Sequence, residues 1–180
     1  HGFKHVHNLE TIEFKLYQPY VSIKDLLKAF AASLNNFQLL TSLSVHIQKY
    51  QEVTDEDVVP FLNQIGFLRN LKRFELVISD ESSLPLSDKS VGAVCKLISR
   101  LRKAEVLCLY FRNCMKLSEN TCYLMGETIA KLFSLRELYL DFAYSLKKSY
   151  NYDELIKAIS LIPHLKVAYV DFGAVSINFS

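Results

Sequence analysis

One spacing rule governs the whole chain. Leu9, Ile12, Phe14 and Leu16 occupy the first, fourth, sixth and eighth positions of a short segment. The same pattern returns at Leu40, Leu43, Val45 and Ile47, at Leu71, Phe74, Leu76 and Ile78, and at Ala104, Leu107, Leu109 and Phe111. It appears again at Leu135, Leu138, Leu140 and Phe142 and at Leu165, Ala168, Val170 and Phe172, with steps of 31, 31, 33, 31 and 30 residues. Alternation over the fourth, sixth and eighth positions puts those side chains on one face of a strand. A second pattern precedes each later copy, with apolar residues three, six, ten and thirteen positions upstream, as in Phe37, Leu34, Phe30 and Leu27. Those offsets trace one stripe of an α-helix. Each unit is therefore a strand and a helix that cannot bury its apolar face alone and must stack on its neighbours.

Caps predict helices over 22–35, 54–66, 87–101, 118–132 and 152–162. Ser22 with Asp25 and Thr54 with Asp57 have capping-box spacing, and Ser87, Ser118 and Asn151 stand at the equivalent places. Pro60 threatens the second helix, either by kinking it or by delaying its start. Because each helix returns the chain to the same end, successive strands are expected to run parallel. Strands pack closer than helices do, so the predicted fold is an α/β arc of about six units, with a curved parallel sheet on the concave face and helices on the convex face. The segments Ser79 to Leu86 and Ala143 to Tyr150 read as long loops, and Val175 to Phe179 alternates like one more strand.

The L-x-x-L-x-L core followed by a helix, seen at Leu135-Arg-Glu-Leu138-Tyr-Leu140 and Leu40-Thr-Ser-Leu43-Ser-Val45, resembles the leucine-rich repeat. The repeat length with full helices is similar to the ribonuclease-inhibitor-like subclass. The resemblance implies a solenoid and a protein-binding role, since such arcs serve as substrate receptors, GTPase regulators or scaffolds. One column departs from the family: Tyr17, Gln48, Ser79, Arg112, Ala143 and Gly173 replace the asparagine that ordinarily follows the strand. The reading is a single domain over residues 1–180, a fragment of a longer chain or one abutting another subunit.

Composition narrows the function. The chain has 180 residues, half of them hydrophobic, with a formal net charge of +2. That balance argues against dependence on nucleic acid or on an anionic membrane surface, and no apolar run is long enough to cross a bilayer. Cys95, Cys108, Cys114 and Cys122 lack paired C-x-x-C spacing, so a reduced, intracellular and cytoplasmic protein is the expectation. Lys24, Lys28, Lys96, Arg100, Arg102, Lys103, Lys131, Lys147 and Lys148 alternate with acids and read as solvated surface.

Catalytic motifs are missing from the sequence: no phosphate loop, no G-x-S-x-G and no H-E-x-x-H. No cofactor or metal is expected, and His5 with His7 makes a poor metal pair. His46 projects from the predicted concave face near Glu13, Lys15 and Glu75, but an open sheet rarely encloses a substrate, so an enzyme is not expected. The concave positions of the last three strands combine Tyr110, Tyr139 and Tyr169 with Glu137, Asp141 and Asp171. Tyrosines offer large contact area at small entropic cost, and carboxylates favour a basic partner protein. The first expectation is a non-catalytic module holding a protein partner on these six residues. The alternative is a structural subunit of a larger assembly, joined through repeat ends and convex helices.

Overall fold

The computed structural model describes residues 8–17, 22–48, 53–147, 150–173 and 176–179. His5, His7, Lys148 and Val175 lie outside the described residues, as do the side chains of 80–83, 115 and 179. Strands and helices alternate as β1 (Thr11–Tyr17), α1 (Ile23–Leu34), β2 (Ser42–Gln48), α2 (Asp55–Ile65), β3 (Arg73–Ser87) and α3 (Asp88–Ile98). They continue as β4 (Val106–Lys116), α4 (Asn120–Ile129), β5 (Glu137–Asp141), α5 (Asp153–Ser160), β6 (Val167–Asp171) and β7 (Ser176–Phe179). The fold is α/β, with a mostly parallel sheet.

The seven strands follow chain order, and β1 to β6 pair parallel. Thr11, Ser42, Arg73, Val106, Glu137 and Val167 lie side by side, so the hydrogen-bonding register has the same steps as the apolar pattern. Alternation forces this agreement, because a slip of one residue would turn every apolar side chain to the opposite face. Only β7 differs. It turns back and pairs antiparallel to β6.

A backbone spine repeats at the start of each strand. The Glu10 carbonyl accepts from the N–H groups of Thr41 (2.8 Å) and Ser42 (2.9 Å), and the Thr41 carbonyl accepts from Lys72 and Arg73. Lys72, Glu105 and Arg136 continue the series. Chain exit from each helix also repeats. Phe37 N–H donates to Leu34 O and Leu40 N–H to Phe37 O, and the same two turns recur after the other four helices. The apolar residues at those turns plug the gap between helix end and strand start.

The core is one cluster along the stack. Leu43, Phe74, Leu107, Leu138 and Ala168, the fourth strand positions, are fully buried, as is the helical column Leu34, Ile65, Ile98, Ile129 and Ile159. Phe111 and Phe142 stack with ring centroids 6.0 Å apart. The first unit is less covered, with Ile12, Phe14, Leu26 and Phe30 only half-buried.

Several local expectations require correction. The helices stop one to three residues short of the predicted C-terminal ends. Pro60 is exposed and lies inside α2 without delaying its start at Asp55, because its ring faces solvent where the lost N–H can be compensated by water. Ser22 makes no side-chain cap, whereas the Asp57 carboxylate accepts from Thr54 N–H at 3.0 Å. The predicted loop from Ser79 to Leu86 is strand: β3 runs on to Ser87 and pairs irregularly with a β4 that is also lengthened but shorter, Leu84 beside Cys114 and Ser87 beside Lys116. Leu84 and Leu86 are buried, so their apolar alternation carries the sheet onward.

Candidate functional site

The helices cover one face of the sheet, and the third, fifth and seventh strand positions form the other. On that open face the first three strands satisfy their own charges. Lys15 Nζ lies 2.7 Å from Glu13, Arg73 Nη2 lies 3.2 Å from Glu75, and His46 Nε2 lies 3.1 Å from the same Glu75 carboxylate. Ser44 Oγ also meets His46 Nε2, at 2.9 Å. Serine and glutamate thus converge on one ring nitrogen. A relay needs them on opposite nitrogens, so base activation of Ser44 has no geometric basis.

The last strands carry the aromatic group. Tyr139 stands beside Cys108 on one side and Tyr169 on the other, while Tyr110, Asp141 and Asp171 form the adjacent row. All three tyrosines are half-buried, and burial pushes the Tyr110 hydroxyl up to about 12. Tyr139 donates to Glu137 at 3.5 Å, and Tyr169 donates to Asp171 at 3.1 Å. Tyr139 therefore leans back along its strand and Tyr169 forward along its own. The hydrogen bond to Asp171 is the main cause of the raised Tyr169 hydroxyl; for Tyr139, burial comes first and the Glu137 charge second.

Asp141 is placed differently from the other five. Its side chain is 1% exposed and its carboxylate accepts from Arg112 Nε at 2.6 Å, Arg112 Nη2 at 2.5 Å and Ala143 N–H at 2.9 Å. Direct contact with a partner is closed to it. Its carboxylate is linked to the surface through Arg112, whose side chain is 53% exposed. The strand-following column, where the asparagine of the resembling family is replaced, supplies that arginine. The mutual attraction raises the Arg112 guanidinium further, first through the Asp141 hydrogen bond. Asp171 keeps the same turn geometry, accepting from Gly173 N–H at 2.6 Å, but remains half-buried.

Glu137 and Asp171 have no cation within 4.0 Å among the described residues. Glu137 accepts from the Tyr139 hydroxyl and Asp171 from the Tyr169 hydroxyl and Gly173 N–H, while Arg73 and Arg112 act on the two carboxylates only from beyond ion-pair distance. Sequence reasoning missed three neighbours. Arg112 lies outside the three inward columns, and Asn178 and Ser176 reach the face only because β7 folds back to pair with Tyr169 and Asp171. A parallel seventh strand would have put other residues there.

The cysteines are free and buried. Burial pushes the Cys108, Cys114 and Cys122 thiols up to about 12, so none is a ready thiolate. Among the described residues no three His, Cys, Asp or Glu side chains converge on a metal-sized space, and no helix is long and apolar enough to cross a membrane. No protein-family model matches the chain, and no curated protein matches it.

Proposed function

We propose that the chain is a leucine-rich-repeat arc that holds a partner protein on the open sheet face over β4 to β6. The partner presents Lys or Arg side chains to Glu137 and Asp171, while Tyr110, Tyr139 and Tyr169 supply the apolar contact. Asp141 acts from below by fixing Arg112. One observation carries this reading: two carboxylates with no ion pair within 4.0 Å among the described residues stand beside half-buried tyrosines, while the ion pairs on β1 to β3 are already made. Tyrosine rings also attract cations over their faces. Strand spacing below helix spacing would curve the sheet around such a partner.

Selection from a random peptide display library tests this reading. The chain should enrich peptides with Lys or Arg, and their binding should weaken with salt and fall at least tenfold in E137Q/D171N and in Y139A/Y169A. Unbiased peptides, or equal binding by both variants, would remove the proposal.

The second reading, a subunit joined through its repeat ends, has support in the uncovered first unit. Ile12, Phe14, Leu26 and Phe30 border a cavity of about 500 Å³ beside the edge strand β1. By continuity with the β1–β2 junction, its occupant would be another strand-and-helix unit. A monomer by light scattering whose Phe30→Ser variant gains no solubility would count against it.

A further inference from the structure

Because β1 to β6 run parallel and in register, every turn from a helix into the next strand lies at one edge of the molecule. Four of these turns, residues 66–72, 99–105, 130–136 and 161–166, hold eight Lys or Arg and a single Glu, whereas the whole chain has a formal net charge of only +2. The remainder is therefore net acidic, and the balanced composition averages two unlike parts. The cations of this edge are all exposed. Glu105 is loosely shared, 3.9 Å from Lys72 and 4.0 Å from Arg136. Among the described residues, Arg69, Arg102, Lys131 and Lys166 have no carboxylate within 4.0 Å.

The same edge carries protruding apolar side chains. Of the seven large hydrophobic residues exposed among the described residues, four are here: Leu39 at 53%, and Phe67, Phe133 and Leu161 at 67% each. Helix C-termini favour nearby cations, which explains part of the charge. That field gives no reason to hold phenylalanine and leucine in water. The tips alternate with the cations, Phe67 two residues before Arg69 and Phe133 two residues after Lys131.

We propose that this edge docks on an anionic phospholipid surface. Lys and Arg meet the headgroup phosphates, and Leu39, Phe67, Phe133 and Leu161 dip to the boundary of the acyl chains. No helix among the described residues is long and apolar enough to go deeper and span the bilayer. A single-stranded nucleic acid fits less well, because bases need a run of stacking platforms. Two of the four tips are leucines, and the two phenylalanines lie in turns separated by a third. The open tyrosine face stands to the side of this edge, so the inference is independent of partner binding there.

Vesicle flotation with the full chain tests it, using phosphatidylcholine alone or mixed with about a third phosphatidylserine. The protein should float with the mixed vesicles, stay behind with the neutral ones, and be released as salt rises. R102E/K131E/K166E should bind at least about tenfold more weakly, and F67Q/F133Q several-fold more weakly, both with unchanged thermal melts because these side chains are exposed. Equal flotation on both vesicles, no flotation, or flotation indifferent to both variants would overturn the proposal. So would binding to an oligothymidine or to polyglutamate without binding to the mixed vesicles.

Discussion

Buried polar groups at single residues set the local geometry of the candidate site. Asp141 has lost its water and gained Arg112 and the Ala143 N–H. Asp141→Ala should cost about 2–4 kcal/mol in chemical denaturation, since it strips an arginine and a backbone donor of their acceptor. Asp141→Asn retains an acceptor for Ala143 and should cost less. Ser145 is a parallel case: its hydroxyl donates to Phe111 O at 2.5 Å and accepts from Cys114 N–H at 2.8 Å, joining β4 to the turn after β5. Ser145→Ala should cost about 1–3 kcal/mol by the same measurement. Neither role was legible in the sequence. Asp141 follows the same alternation as Asp171; what differs is the strand-following residue of the preceding unit, Arg112 for Asp141 but Ala143 for Asp171.

At the scale of elements, the helix starts are tied across neighbours. Asp55, the first residue of α2, accepts from Ser87 N–H (3.1 Å), Ser87 Oγ (2.6 Å) and Ser90 Oγ (2.6 Å) at the start of α3. Asp88 repeats this toward α4, accepting from Ser118 N–H and Oγ and from Thr121 Oγ1, and Glu119 accepts from Asn151 N–H. Burial alone would raise the Asp55 and Asp88 carboxyls, but these hydrogen bonds outweigh it and hold both below the ordinary value. Groups with depressed folded values stabilise above the ordinary aspartate value near 3.9 and lose that contribution as pH falls further. The D55N/D88N variant should therefore be less stable at neutral pH, and its denaturation midpoint should fall less steeply below about pH 4. Helix packing gives a second check. A Cβ on Gly126 would stand 3.3 Å from Leu155 Cα and Ala158 Cβ of α5, whereas one on Gly92 of α3 would meet nothing within 4 Å. Gly126→Leu should destabilise by about 1–3 kcal/mol and Gly92→Ala should stabilise by about 0.5–1 kcal/mol, both measured by denaturant midpoint.

Across the whole molecule, stability should grade along the stack, because each unit is buried mainly by its neighbours. Hydrogen exchange is expected to be fastest in β1 and α1, where Ile12, Phe14, Leu26 and Phe30 remain half-buried, and slowest in β3 to β5. Uniform protection from β1 to β6 would contradict that gradient. The sequence alone determined the alternation of strand and helix, the register steps and the core columns, because a thirty-residue apolar period admits one pairing that buries every column at once. Tertiary structure alone decided the rest. The carboxylate ties between helix starts, the burial of Asp141 under Arg112 and the gathering of cations with Phe67 and Phe133 at one edge join residues about thirty positions apart or more, while the antiparallel turn of β7 folds the chain back onto the strand just before it. The acids at the helix starts do recur with the repeat, but the apolar period does not say which donors they meet. A linear pattern records which residues must leave water, but which polar groups then become neighbours depends on how the units are laid against one another.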